Sequence, residues 1–201
     1  MAKLNSLLKV AASCVALLSF TFILSGCTKS NPAGPSPSNS EIVPLTMGNA
    51  WTYRSIIYSP ADSVLGDGPL SILVNRDTTI SGIHLFSFWG WAAEGDSGLT
   101  TYTDGHFTLY LKYPIDKGAT YYASGWGFTV LVSTIDTTIT VPAGSFNCID
   151  YQFYAQGYLD AEYFACPRVG VVKEVFYFGS NYPPAASVIQ NVQILTSYTV
   201  K

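Results

Sequence analysis

Four cysteines, two histidines and a few closely spaced acids are the side chains of this 201-residue sequence whose types could do chemistry. His84 and His106 could meet across strands and hold a metal with a neighbouring Asp or Cys, but nothing near them has the ligand spacing of a zinc site. Two histidines in strand-like segments are more simply ordinary polar positions, so no metal and no cofactor is expected. In "DAE", Asp160 and Glu162 stand two residues apart, which puts both carboxyls on one face of a strand. Such a pair could serve glycoside hydrolysis if it closed to the right separation. A solvated strand face explains it with fewer assumptions.

The segment "GDSG", Gly95 to Gly98, resembles the surroundings of the nucleophile in chymotrypsin-like proteases. The resemblance implies Ser97 as nucleophile, yet Leu99 stands where that family has a further glycine. His84 is the only histidine before it and lacks the family's histidine motif. A triad is defined by geometry and roles, and no base with supporting context is present, so "GDSG" reads as a turn and no catalytic residue is assigned. Trp89, Trp91 and Trp126, together with abundant tyrosine, are candidates for lining an apolar or carbohydrate pocket. Core and cross-strand packing is the commoner use of such rings.

The elements that must position these residues are set by composition and pattern. Hydrophobic residues make up 48% and aromatics 14% of the chain, enough for one folded core, while charged residues are only 11%, against roughly 25% in ordinary soluble chains. Setting aside Lys3 and Lys9, the chain from Cys27 onward has 8 basic and 13 acidic residues. That surface repels nucleic acid, and there is no basic stripe to say otherwise.

Residues 1–26 have a short basic start, an apolar run from Val10 to Leu24 and the small pair Ser25–Gly26, the layout of a signal peptide. The apolar run is about 15 residues, short of the roughly 20 that span a bilayer. "LSGC" then resembles the lipobox of bacterial lipoproteins. The resemblance implies that Cys27 is acylated (diacylglyceryl plus an amide-linked chain such as palmitate) and becomes the new amino terminus. More than one chain gives stable membrane attachment. Thr28 stands where the family's inner-membrane retention signal has Asp, which implies the outer membrane, on either of its faces. Residues 27–41, rich in Ser, Pro, Asn and Gly, read as a flexible tether about 20 Å in reach.

From residue 42 to 201 a single β-domain is expected. In "HFTLYLKY", Phe107, Leu109, Leu111 and Tyr113 alternate with His106, Thr108, Tyr110 and Lys112. The last run from Val192 alternates likewise. "SG" at 81, "DG" at 104 and "QG" at 156 supply hairpin turns. About ten strands follow, predicted as an antiparallel meander curled into a barrel or a strongly bent sheet. "PLTMGNAW" and "PIDKGATY" share Pro, an aliphatic residue, Gly and an aromatic at equal spacing, the signature of a turn that launches a strand.

"VPLTMGNAWTY", "ITVPAGSFNCIDY" and "CPRVGVVKEV" together resemble uncharacterised bacterial envelope lipoproteins with a proline-glycine-tryptophan opening and later "VPAGSF"-like and "VGVVK"-like segments. The resemblance covers nearly the whole β-domain, implies an all-β lipoprotein and carries no catalytic residue over. Cys14 leaves with the leader and Cys27 takes lipid, so Cys148 and Cys166 remain as a pair in an oxidising envelope. A hairpin about Gly157 with a three-residue turn sets them opposite each other, and a two-residue turn sets them out of register. A disulfide is expected. The expected function is a non-enzymatic binding or assembly role beside the membrane. An envelope hydrolase using the carboxylates and a carrier of a lipid or other apolar ligand are the alternatives.

Overall fold

The computed structural model describes residues 41–179 and 188–201. Cys27, the leader and most of the tether lie outside the described residues. Thirteen strands follow: β1 (Ala50–Tyr58), β2 (Val64–Leu73), β3 (Asp77–Ile80), β4 (Ile83–Ser87), β5 (Trp91–Gly95), β6 (Gly98–Thr103), β7 (His106–Lys112), β8 (Thr120–Ala123), β9 (Phe128–Val141), β10 (Gly144–Ala155), β11 (Tyr158–Cys166), β12 (Gly170–Tyr177) and β13 (Ile189–Thr199). All pairings are antiparallel.

The sheet does not close into a barrel, and the strands number thirteen in two sheets rather than about ten in one meander. Eight strands form one sheet in the order β2-β1-β13-β12-β11-β10-β9-β8, and five form another in the order β3-β4-β5-β6-β7. The chain leaves the large sheet after β2, builds the small one as a complete meander, and returns at β8. Rings of the small sheet seat on the inner face of the large one. Phe88 meets Trp51 edge-on at 5.3 Å, and Tyr110 stands 5.2 Å from Phe153 and 5.3 Å from Tyr163. A face that a barrel would wrap around itself is thus covered by a second layer, which buries the same alternating apolar residues without joining β2 to β8.

Three hairpins turn where the sequence places them. Ser81–Gly82, Asp104–Gly105 and Gln156–Gly157 all have positive φ at both positions, the backbone of the tight turn whose twist matches paired strands. The two proline-glycine segments also fold alike. Gly48 N–H donates to the Val74 carbonyl and Val74 N–H to the Asn49 carbonyl. Gly118 N–H donates to the Val132 carbonyl and Val132 N–H to the Ala119 carbonyl. Each segment launches a strand, β1 or β8, that pairs with its successor at one end of the large sheet.

The segments behind the family resemblance meet in space. Trp51 Nε1 donates to the Val169 carbonyl at 2.6 Å and the Tyr53 hydroxyl to the Val171 carbonyl at 2.8 Å. Gly170, at φ +98°, leaves room for the Trp51 ring. The Pro142–Ala143 turn of "VPAGSF" reaches back to β13, where Ala143 N–H donates to the Leu195 carbonyl.

Candidate functional site

Across the inner face of the large sheet, the register lines up Tyr163 of β11 with Glu174 of β12, Glu174 with Gln193 of β13, and Gln193 with Ser55 of β1. The neighbouring row holds Ala161, Phe176, Asn191 and Ile57. Opposite them the small sheet contributes Leu99 and Thr101 from β6 and Tyr110 from β7. The layers do not fill the space between them. A cavity of about 310 Å³ is lined by residues that include Phe88, Trp89, Tyr110, Trp126, Tyr163 and Glu174. A second hollow of about 220 Å³ shares Tyr110, Trp126, Tyr163 and Phe176 with it and adds Phe128, Phe153 and Asp160.

The cavity has polar atoms with no partner. Glu174 is 2% exposed, and its Oε1 accepts no hydrogen bond. Neither does Gln193 Oε1, its cross-strand neighbour, nor Asn191 Oδ1 in the adjoining row. The Asn191 amide donates to the Ser55 hydroxyl at 3.1 Å, so that side chain is held with its oxygen unused. Burial pushes the Glu174 carboxyl well above the ordinary carboxylate range, because a low-dielectric interior disfavours the charged form. Unpaired buried oxygens cost about 1–3 kcal/mol each, and such groups cluster where a ligand completes the bonding.

The rim is aromatic and open to solvent. Trp89 is 38% and Trp126 48% exposed. Trp89 occupies the β4–β5 turn at φ +46°, an uncommon backbone for a bulky residue, and stacks beside Phe88 at 4.9 Å and Tyr53 at 6.0 Å. Trp126 occupies the β8–β9 turn next to Gly125, where a Cβ would run into the Thr108 side chain. That close approach sets the turn down on β7 and places Trp126 over the hollow. Trp91, the third tryptophan of interest, borders an adjoining groove with Leu70, Arg76 and Ser87, which shares Phe88 and Trp89 with the cavity, its ring 5.7 Å from the Arg76 guanidinium.

The other candidates are scattered. "GDSG" is the β5–β6 hairpin, with Gly95 paired to Gly98 and the Ser97 carbonyl accepting from Tyr113 N–H at 3.0 Å. His84 Nε2 sits 2.7 Å from Asp77 Oδ2 in the exposed β3–β4 hairpin, and His106 begins β7 beside the Asp104–Gly105 turn. No group of three metal-ligating side chains occurs among the described residues. Asp160 and Glu162 find different surroundings. Phe153 pairs with Ala161 and Tyr154 with Leu159, so Asp160 is the extra residue of a bulge, re-aimed toward the second hollow. Glu162 is held elsewhere, by the Tyr177 hydroxyl at 2.5 Å and Gln152 Nε2 at 3.1 Å.

The same bulge governs the cysteines. The turn at Gln156–Gly157 has two residues, with Ala155 opposite Tyr158, yet beyond the bulge Ile149 pairs with Ala165. One step further brings Cys148 level with Cys166. They stand as free thiols and not as the expected bridge. Each Sγ turns to a nearby backbone carbonyl, Cys148 to Phe146 and Cys166 to Pro167. Burial pushes the Cys148 thiol up to about 12, which makes it a poor nucleophile.

Sequence reasoning missed Glu174, Gln193 and Asn191. A signal was present for the first: Val172, Glu174 and Phe176 alternate along one face of "VVKEVFYF", so the acid shares the register of two apolar residues. Such an acid is either buried or at a site.

No family model and no curated protein matches the chain. Among solved structures, a crystal structure of a candidate lipoprotein from Parabacteroides distasonis is similar over 80% of this chain and 99% of that one, at 15% sequence identity and a TM-score of 0.44.

Proposed function

We propose that the chain is a lipid-anchored protein of the bacterial outer membrane, tethered through Cys27, whose β-domain holds a small ligand between its two sheets without transforming it. The observation that carries this reading is the unfilled cavity of about 310 Å³ between the sheets, continuous in its walls with the second hollow and bordered by two solvent-exposed tryptophans. It is at the small end of the usual range of ligand sites, roughly 300–1,000 Å³, and has their mix of apolar walls and few polar groups. The anchor rests on the leader and "LSGC". In the oxidising envelope, rotation of two side chains that already lie level closes Cys148 to Cys166.

Two measurements test the reading. Intact mass spectrometry of protein extracted from membranes should give the mass of a chain starting at Cys27 with attached acyl groups and two hydrogens fewer than the dithiol. An unmodified, freely soluble chain removes the anchor, and two thiols before reduction remove the bridge. For the cavity, the neutral fluorophore N-phenyl-1-naphthylamine should brighten on binding, and Thr101→Trp, which fills the cavity from β6, should weaken it at least tenfold with the melting temperature unchanged. Equal binding by the parent and Thr101→Trp overturns the cavity as the site.

A further inference from the structure

Resting on the reading of the cavity as a ligand site, we infer that it selects a protonated amine carried on an apolar or aromatic body, with Glu174 and Gln193 accepting the ammonium N–H groups. The two unpartnered atoms of the cavity lining, Glu174 Oε1 and Gln193 Oε1, are both oxygens that can accept. The missing partner therefore supplies donors. An ammonium group carries three donors and no acceptor.

The walls suit a cation as well. Phe88, Trp89, Tyr110, Trp126, Tyr163 and Phe176 surround the acid, and ring faces attract cations most strongly when water is excluded. The groups facing Glu174 from the packed elements are Tyr53 of β1, Tyr110 of β7 and Tyr163 of β11. Burial raises the pKa of each of these phenols, so all are uncharged. Asp160 lies beyond Tyr163 in the adjoining hollow. Neither ion pair among the described residues involves Glu174, so no resident cation competes for it. The excess of acidic residues over basic ones in the domain favours the approach of cations.

Binding is linked to a proton. In the empty site burial favours the neutral form of the carboxyl. An ammonium beside it favours the carboxylate instead, so any proton that Glu174 carries passes to solvent as the pair forms. Affinity for an amine therefore rises with pH until the amine itself begins to lose its charge.

The test compares two probes that differ only in the head group, 2-phenylethylamine and 2-phenylethanol, by titration calorimetry and tryptophan fluorescence on the intact domain. The expected result is at least tenfold tighter binding of the amine at pH 8, accompanied by proton release, read from buffers of different ionisation enthalpy. Glu174→Gln, which keeps the shape, should abolish proton release, weaken the amine at least tenfold and leave the alcohol within about twofold. Gln193→Leu, which leaves the acid in place, should weaken the amine less. Equal binding of the two probes, or an amine affinity indifferent to Glu174→Gln, overturns the inference while leaving the cavity as a site. Binding of neither probe, with N-phenyl-1-naphthylamine also silent, overturns the underlying reading.

Discussion

Gly98→Ala is expected to lower the melting temperature by roughly 10 °C, from a loss of about 3 kcal/mol. Gly98 has φ +107°, and a Cβ at this position would fall on the Leu111 carbonyl oxygen and 2.6 Å from the Tyr113 amide. Both obstacles are backbone, so no rotamer change relieves them, and the substituted residue also meets the strain of left-handed backbone. The hairpin must move away from β7, which breaks the bond from Tyr113 N–H to the Ser97 carbonyl and shifts Leu99, a fully buried wall of the cavity. Gly95→Ala is the matched control. It closes the same turn without a positive φ, its added methyl would meet nothing within 4 Å, and it should change stability by less than about 1 kcal/mol. Thermal melts of the two variants check this, and equal melting temperatures would show that the close approach is not there.

Stability should fall as pH rises from 5 to 8, and Glu94→Gln should remove much of that slope. Glu94 of β5 clasps the start of the domain, its Oε1 accepting from Ile42 N–H at 3.1 Å and Val43 N–H at 2.5 Å, while Oε2 is buried with no partner. Burial dominates over the two amide bonds, and the carboxyl is pushed from its ordinary 4.5 to about 8. The raised value means the folded state holds the proton more tightly than the unfolded chain. Its contribution is complete below pH 4.5 and drains away as pH climbs to 8, on the order of 3 kcal/mol. Glu174, Asp150 and Asp160 are also raised and act in the same direction. Asp67, exposed and lowered by its bond to Arg54, acts against them only at the surface. Glu94→Gln keeps the acceptor for both amides and should be more stable than the parent at pH 8. A parent that melts higher at pH 8 than at pH 5 contradicts the assignment.

Much of the fold was legible because hairpins are local. Ser81–Gly82, Asp104–Gly105 and Gln156–Gly157 announce themselves by residue type, and strict alternation in β7 and β13 identifies half-buried strands. The division into two sheets was not legible, since it depends on which distant strands share a ladder and not on any one segment. The start of β2 is hidden in the sequence because Gly66, Gly68 and Pro69 look like a loop, and an edge strand tolerates them. The aromatic side of the site showed in its tryptophans, although Trp91 belongs to another groove. Its acceptor side did not, because Glu174, Gln193 and Asn191 come together only once β12 and β13 pair. The Asp160 bulge cuts both ways. It separates two acids whose spacing implied one face, and it restores the cysteine register that a two-residue turn alone would have lost.

Because neither sheet closes on itself, the two layers form a clamshell and not a pipe. No strand of one ladders with a strand of the other among the described residues. They are held by rings in edge-on and tilted contact and a few reaching phenols, such as Tyr121 to the Tyr110 carbonyl and Tyr151 to the Lys112 carbonyl. A pipe widens only by tearing its ladder, whereas facing layers part by sliding side chains. The size of the empty hollow is therefore a lower bound on the largest guest it can admit.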